Sequence, residues 1–237
     1  MSALIRNHLS LSTTDGTPMQ VYVSYPNGAS GLPGILVLQE AFGVNAHIRD
    51  LTDRIAAEGY YAIAPELFHR TAEKGLEISY DDLPAAKPHL QALNPQALAN
   101  DLTTTHKFMC RQKEVDPERT ASIGFCLGGR VSFLASTVLP LKAAVCFYGG
   151  DLAAMAGDRI SQIPCPVLLC WGGQDAHIPR ETRDKVLQLL DREEKDYVQV
   201  VFSKAGHAFF CDRRDNYHPA SARESWELVK AFWKVHL

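Results

Sequence analysis

Short apolar runs alternate with segments of helical spacing along most of the chain. The runs are rich in β-branched and aromatic residues, as strands buried on both faces are. They cover residues 34–40, 60–67, 120–126, 142–150, 165–173 and 197–207. Apolar residues recur with helical spacing at 46–60, 95–112, 126–137, 179–194 and 221–237. This alternation predicts an α/β fold, in which a mostly parallel central sheet carries helices on both faces.

Two regions depart from the alternation. Residues 5–26 contain two strand-like runs joined at Asp15-Gly16, which predicts an N-terminal antiparallel hairpin at the edge of the sheet. Residues 67–94, with Pro84 and Pro88, show no clear periodicity. That stretch is too long for a simple connection, so we expect a lid-like or rim segment within a single domain spanning residues 1–237.

Composition and charge exclude several classes of protein. The chain has 237 residues, of which 46% are hydrophobic and 22% charged, as in ordinary globular domains. The net charge is -3 and no long basic run occurs, which argues against nucleic-acid and membrane partners. No apolar stretch approaches the length of a membrane span, and no secretion signal is visible, so we expect a cytoplasmic protein.

The cysteines give no sign of metal binding. Six are present, and none shows CxxC or Cys/His ligand spacing. We therefore expect no metal site and no disulfide framework, with most of these thiols buried as small hydrophobic groups.

One cysteine stands apart, because Cys126 lies between glycines in "SIGFCLGGR" where a strand should end and a helix begin. Gly124, Gly128 and Gly129 complete the pattern of a nucleophile elbow, the sharp turn that presents a catalytic side chain. The glycines let strand and helix approach closely, and the helix N-terminus favours a thiolate. A buried structural cysteine in a glycine-rich turn is the alternative.

Partners for such a nucleophile stand in the expected chain order of nucleophile, acid and base. Asp175 follows an apolar strand in "CWGGQDAHIP", and His207 follows the last strand in "SKAGHAFF". His207 would take a proton from Cys126 or hold its thiolate, while Asp175 would fix the imidazole tautomer. Alternatively, Asp175 is a helix N-cap and His207 a surface loop residue. His177 is a second candidate base.

Glu40 is a further candidate, since it ends the strand "GILVLQE" at the side where parallel sheets carry their ligand crevice. A carboxylate placed there would lie beside Cys126. Burying it without a partner would cost several kcal/mol, so a buried Glu40 implies proton sharing or an ion pair. The alternative is a rim glutamate facing water.

Taken together, these motifs resemble a known family over nearly the whole chain. "LQEAFGVN", "YAIAPELF", "SIGFCLGGR", "YGG", "WGGQDAHIP" and "AGHAFF" are similar to the dienelactone hydrolase (carboxymethylenebutenolidase) family of the α/β-hydrolase superfamily. The resemblance implies the α/β-hydrolase fold, with Cys126 as nucleophile and His207 and Asp175 completing a triad. It also implies that Glu40 pairs with the resting cysteine. The backbone N–H groups of Ala41 and Leu127 would form the oxyanion hole, and no cofactor is implied.

Substrate contacts are predicted less sharply, because the chain departs from the arginine positions of dienelactone-specific members. One such position lies in 67–94, and the other, four residues after His207, is Cys211. The candidates for substrate contacts are Phe42, Arg70, Tyr80, Phe209, Arg213 and Arg214.

The resulting prediction is a cysteine-dependent hydrolase that opens a small lactone or activated ester through an acyl-enzyme on Cys126. Three alternatives stay open: a general carboxylesterase or thioesterase of the same fold, a non-catalytic binding protein on a hydrolase scaffold, and a redox protein using Cys126. The expected partner is a small-molecule substrate, and the expected assembly is a monomer or a small homo-oligomer.

Overall fold

Eight strands form a mostly parallel sheet in the computed structural model, which describes residues 3–237. The strand order is β1-β2-β4-β3-β5-β6-β7-β8. The strands are β1 (Leu4–Ser12), β2 (Pro18–Pro26), β3 (Leu32–Leu38), β4 (Tyr61–Pro65), β5 (Val115–Phe125), β6 (Ala143–Phe147), β7 (Val167–Gly172) and β8 (Tyr197–Phe202).

The two N-terminal strands form the predicted hairpin at the sheet edge. β1 pairs antiparallel with β2, and β2 pairs antiparallel with β4. In the connecting turn, the Gly16 N–H donates to Thr13 O at 2.9 Å, and Gly16 has a φ of 81° that favours glycine. Parallel pairing joins β3 to β4, β6 to β7, and β7 to β8, as expected for strands separated by helices.

Seven α-helices and one short 3₁₀ helix connect the strands in the described part of the chain. The α-helices are α1 (Ala46–Ala57), α2 (Leu83–Ala92), α3 (Pro95–Cys110), α4 (Leu127–Val138), α5 (Leu152–Ala156), α6 (Arg180–Arg192) and α7 (Pro219–His236), and the 3₁₀ helix covers Gly157–Gln162. None of these helices is long and apolar enough to cross a membrane.

Part of the predicted lid-like or rim segment is helical. α2 lies within residues 67–94 and begins after Asp82, whose side chain accepts a hydrogen bond from the Ala85 N–H at 3.1 Å. Pro84 occupies the first turn, where a missing N–H costs nothing. Only Ala86 of this helix is buried, which explains why its sequence shows no apolar stripe.

Residues 3–121 and residues 122–237 form two compact units, so the single-domain organisation stays a prediction. In the first unit, α1 packs on β2 and β4 and buries Ile48, Leu51 and Ile55. Full burial of each such side chain contributes about 1.5 to 3 kcal/mol. In the second unit, α4 packs on β6, and α7 packs on β6 and β7. The triad candidates lie in the loops that follow β5, β7 and β8 in this unit.

Candidate active site

Cys126 occupies a sharp turn between β5 and α4. Phe125 is the last residue of β5 and Leu127 the first of α4, so Cys126 alone makes the connection. Its φ of 55° and ψ of -111° lie outside the regions that L-residues ordinarily adopt. Its N–H donates to Phe147 O at 3.1 Å, which holds the turn against β6. Such a conformation costs about 1 to 3 kcal/mol and persists only where surrounding structure enforces it.

The neighbouring glycines are required by close backbone contacts. A Cβ atom on Gly124 would lie 1.9 Å from Gly128 O, and one on Gly129 would lie 2.4 Å from Phe147 O. Both distances are far below van der Waals contact with atoms of the backbone, which cannot easily move away. The small-residue pattern around Cys126 is therefore a steric requirement of this turn.

The loops after β7 and β8 are joined by backbone hydrogen bonds. The Gly173 N–H donates to Phe202 O at 2.8 Å, and the Gln174 N–H donates to Ala205 O at 2.9 Å. Asp175 follows in the first loop and His207 in the second. These bonds fix the two loops against each other and so bring the two side chains together.

Cys126, His207 and Asp175 form a continuous chain of contacts. Nε2 of His207 lies 3.2 Å from Cys126 Sγ, and Nδ1 of His207 lies 2.8 Å from Asp175 Oδ2. The other carboxylate oxygen, Oδ1, accepts the backbone N–H of His177 at 2.8 Å. Both oxygens of Asp175 are thus occupied, which fixes its orientation. An imidazole so held can exchange a proton with the sulfur while the carboxylate stabilises its charged form.

Electrostatic interactions among Cys126, His207 and Asp175 favour a protonated imidazole on His207. Burial lowers the pKa of His207, but the hydrogen bonds from its ring to Asp175 and Cys126 outweigh burial and raise the pKa to about 10. For Asp175, burial raises the pKa, and the hydrogen bond and attraction to His207 more than reverse this, so its pKa lies below the usual value. The arrangement therefore favours an imidazolium between a carboxylate and the sulfur.

Two aromatic rings contact the imidazole of His207. The Tyr148 ring lies 5.2 Å from it at an interplanar angle of 60°, and the His177 ring lies 5.2 Å from it at 78°. Tyr148 is fully buried and has a φ of 35°, a strained value for a non-glycine residue. Its contact was not anticipated from the sequence, although "YGG" does follow a predicted strand.

The positions of Asp175 and His177 bear on two alternatives, Asp175 as a helix N-cap and His177 as the base. α6 begins at Arg180 with Pro179 as its N-cap, so Asp175 is not a helix cap. His177 is exposed, and its contact with Asp175 is through the backbone N–H, whereas the ring of His207 contacts both Asp175 and Cys126.

The remaining thiols differ from Cys126. All six cysteines are free, and Cys126 and Cys110 alone are partly exposed among them. Burial raises the pKa of Cys165 to about 12 and also raises the pKa values of Cys146 and Cys170. Thiols in such surroundings stay protonated and unreactive at neutral pH.

Leu127 and Ala41, the expected oxyanion donors, are both buried. Leu127 is the first residue of α4, so its N–H belongs to the group of helix N–H donors without a partner inside the helix. Ala41 lies in the first unit, directly after Glu40.

Glu40 is fully buried two residues beyond the end of β3. The alternative of a rim glutamate facing water is therefore wrong. Phe42 and Tyr80 belong to the same unit, with ring centroids 4.8 Å apart in an edge-to-face contact. Tyr80 also accepts a hydrogen bond from Asn45 Nδ2 at 3.1 Å. Phe42 is thus part of a small apolar cluster, together with Ala41, Ile78 and Ala86.

Four predicted substrate contacts are not supported by the surroundings of their side chains: Arg70, Phe209, Arg213 and Arg214. Arg70 donates to both oxygens of the buried Asp101, at 2.7 and 2.8 Å, and to Asp15 at 2.6 Å. These hydrogen bonds raise the pKa of Arg70 further and occupy its guanidinium. Phe209 is fully buried among aromatic rings. Arg213 is 63% exposed beside Asp212, and Arg214 is partly exposed.

Comparison with known proteins assigns the chain to a family. Residues 19–237 match the model of the dienelactone hydrolase family. A protein of Salmonella typhimurium named "Putative carboxymethylenebutenolidase" is 39% identical over 227 residues, which cover 91% of this chain and 82% of that protein. A protein of the same name from Escherichia coli strain K12 is 37% identical, covering 94% of this chain and 84% of its own length.

A solved structure is also similar to this chain over nearly its whole length. The crystal structure of a "Putative Dienelactone Hydrolase" from Klebsiella pneumoniae superposes with a TM-score of 0.89 at 33% identity, covering 98% of this chain and 99% of that one. Since the family model matches nearly the whole chain, this protein belongs to the dienelactone hydrolase family and has its α/β-hydrolase fold.

Proposed function

We propose that this hydrolase cleaves small lactones or activated esters through an acyl-enzyme on Cys126. The observation that carries the proposal is the chain of contacts from Cys126 Sγ through His207 to Asp175 on a strained strand-to-helix turn. Nε2 of His207 and Sγ of Cys126 lie 3.2 Å apart, and as an imidazolium and a thiolate they would supply both the acid and the nucleophile that acyl transfer requires.

Acylation follows from the positions of the proton and the sulfur. The thiolate attacks the ester carbonyl carbon, forming a C–S bond and an oxyanion. As the C–O bond breaks, Nε2 of His207 gives its proton to the departing alcohol oxygen. In a lactone that alcohol stays attached to the acyl group. The backbone N–H groups of Leu127 and Ala41 would donate to the oxyanion, an interaction worth about 2.7 to 4 kcal/mol per donor.

Deacylation uses the imidazole that acylation has left neutral. His207 removes a proton from a water molecule, whose oxygen attacks the thioester carbonyl. The C–S bond then breaks, the thiolate returns and the acid product leaves. Asp175 keeps the imidazole in one tautomer through both steps and stabilises its charged form. The thiolate–imidazolium pair is thereby restored.

The resemblance assigns Glu40 a role in activating the thiol. A fully buried carboxylate is costly unless it shares a proton or forms an ion pair, which fits a residue that exchanges charge with Cys126. We expect Glu40→Gln to slow alkylation of Cys126 and ester turnover together, while Glu77→Gln, at a partly exposed ion pair with Arg49, should change neither.

Strained or activated acyl groups suit this site better than amides. A thiolate attacks them readily, and the departing alcohol needs only one proton. The names of the relatives point to carboxymethylenebutenolide, a lactone. A general carboxylesterase or thioesterase of the same fold is the second candidate, because the family arginine positions differ in this chain.

A substrate panel tests the proposal. Dienelactones, simple lactones, p-nitrophenyl acetate and an acyl thioester would be assayed with wild type, Cys126→Ala and Cys126→Ser. Cys110→Ala is the matched control, since Cys110 is the other partly exposed thiol. We expect turnover to be lost in Cys126→Ala and retained in Cys110→Ala. Full activity of Cys126→Ala on any substrate would refute the acyl-enzyme, and the preferred substrate would separate lactonase from esterase or thioesterase.

A further inference from the structure

Gln39 is a fully buried amide side chain that directly precedes Glu40 and Ala41, one residue beyond the end of β3. Its Nε2 donates to Glu40 O at 3.2 Å, and its Oε1 accepts the Leu67 N–H at 2.9 Å. Exchanging Oε1 and Nε2 would set acceptor against acceptor and donor against donor, so these two contacts fix the orientation of the amide.

The carbonyl that Gln39 contacts belongs to the same peptide group as the Ala41 N–H. The peptide bonds of residues 3–237 are all trans. In a planar trans peptide group the C=O and the N–H point in opposite directions. Holding Glu40 O in place therefore sets the direction of the Ala41 N–H. The hydrogen bond to the carbonyl also polarises the peptide group, which strengthens its N–H as a donor.

The backbone just beyond Ala41 is held by the rim segment. The Ile78 N–H donates to Phe42 O at 3.1 Å. A Cβ atom on Gly43 would lie 2.0 Å from Leu76 O, so the two backbones are in direct contact there. Ala41 and Phe42 also share a small apolar cluster with Ile78. The peptide group that carries the Ala41 N–H is thus fixed on both sides.

We propose that Gln39 is a positioning residue for acyl transfer, because it aims the Ala41 N–H at the oxyanion. This inference rests on the proposed acyl-enzyme at Cys126 and on Ala41 as an oxyanion donor. Such a donor is effective when it is aimed, before the reaction, at the place where negative charge develops. Gln39 acts on the reaction only through Ala41, so its loss should slow acyl transfer and leave the reactivity of the thiol unchanged.

Two reactions of Cys126 separate these effects. Acylation by p-nitrophenyl acetate passes through an oxyanion, whereas iodoacetamide loses iodide from a saturated carbon and forms none. Gln39→Met keeps the length of the side chain and removes the amide. We expect kcat/KM for p-nitrophenyl acetate to fall about 10- to 100-fold in this variant, since loss of a whole donor costs about 100- to 1,000-fold. The alkylation rate should change less than about twofold.

Gln112→Met is the matched control. The Gln112 side chain also donates to a backbone carbonyl, Phe108 O at 2.8 Å, but it lies just beyond the end of α3. This variant should change neither rate. Gln39→Asn, whose amide is one methylene too short to reach both partners, should show the same selective loss to a smaller extent and serves if Gln39→Met does not fold. Equal slowing of acylation and alkylation, or an unchanged kcat/KM, would overturn the inference.

An NMR measurement separates this inference from the acyl-enzyme. In Cys126→Ala labelled with ¹⁵N-alanine, the amide signal of Ala41, assigned by its loss in Ala41→Gly, should shift in Gln39→Met and stay in place in Gln112→Met. The signal does not depend on a reactive thiol. An unmoved Ala41 signal in Gln39→Met would overturn the positioning role, whatever the activity of Cys126. Full turnover in Cys126→Ala would instead overturn the acyl-enzyme and leave the orientation of Ala41 by Gln39 in place.

Discussion

Adding a single methyl group at Gly124 should disrupt the turn that carries Cys126. In Gly124→Ala the new Cβ would lie 1.9 Å from Gly128 O and 2.2 Å from Gly128 C. Real Cβ contacts essentially never fall below 3.0 Å, so β5 and the start of α4 must separate by at least 3.0 - 1.9 = 1.1 Å. The atoms that move include Cys126 Sγ and the Leu127 N–H.

The expected losses follow from this displacement. Overpacking of a tight site costs about 1 to 3 kcal/mol of folding free energy. For a chain of this size that corresponds to a fall in Tm of about 2 to 4 °C per kcal/mol. Misplacing catalytic groups by about 1 Å can reduce the rate about 100-fold. On that basis, we expect kcat/KM to fall about 100-fold while the protein still folds.

The assay compares Gly124→Ala with Gly150→Ala. At Gly150 a new Cβ would meet Ile178 at 3.5 Å, an ordinary contact, so this control should keep nearly full activity and stability. Turnover of p-nitrophenyl acetate, alkylation of Cys126 and thermal unfolding would be measured for both. Wild-type activity and Tm in Gly124→Ala would refute the argument that close packing of the glycines shapes the site.

Three further outcomes are expected. The imidazole of His207 should stay protonated through neutral pH and lose its proton near pH 10, as followed by ¹⁵N NMR with His207→Gln for assignment, and titration near 6.5 would contradict this. Because this pKa is raised above the ordinary value of about 6.5, the stability contributed by the protonated ring is present below about pH 6.5 and is lost as pH rises through about 10. Asp175→Asn should lower kcat/KM by about 10² to 10⁴-fold, because the imidazole loses its orienting carboxylate, and should lower Tm at neutral pH, because the protonated ring loses the carboxylate that stabilises it. Arg70→Ala should cost about 2 to 4 kcal/mol of stability in denaturant unfolding, since the buried Asp101 loses its guanidinium partner and keeps its 3.2 Å contact with Nε2 of His69, while KM stays unchanged. Arg6→Ala, at an exposed ion pair, is its control, and a raised KM in Arg70→Ala would restore the predicted substrate contact.

The fold could be predicted because its signals are local and repeated. The apolar runs are short, and all of them except the run at 142–150 are followed by a segment with helical spacing, a pattern that few arrangements other than a parallel sheet satisfy. The exceptions are elements whose sequences lack an apolar pattern. α2 buries only Ala86, and α5 has five residues, so neither produces a recognisable stripe.

The sequence identifies the residues of the candidate site by their places after strands. It does not identify the groups that those residues contact. Cys126, Asp175 and His207 follow strands in a recognisable order, so their types and spacing were informative. The ion pairs that occupy Arg70 join it to Asp15 and Asp101, which are 55 and 31 residues away in sequence. A sequence shows that an arginine is present and gives no sign of which distant carboxylate it meets. The same holds for Tyr148, whose contact with His207 depends on folding of the chain.

Direct detection of the acyl-enzyme tests the central claim. Wild type mixed with p-nitrophenyl acetate would be quenched in acid within the first turnovers, digested and analysed by mass spectrometry. We predict one acetyl group on the peptide containing Cys126, absent after the reaction runs to completion and absent in Cys126→Ala. Steady turnover with no acetyl group on Cys126, or retained turnover in Cys126→Ala, would contradict the account.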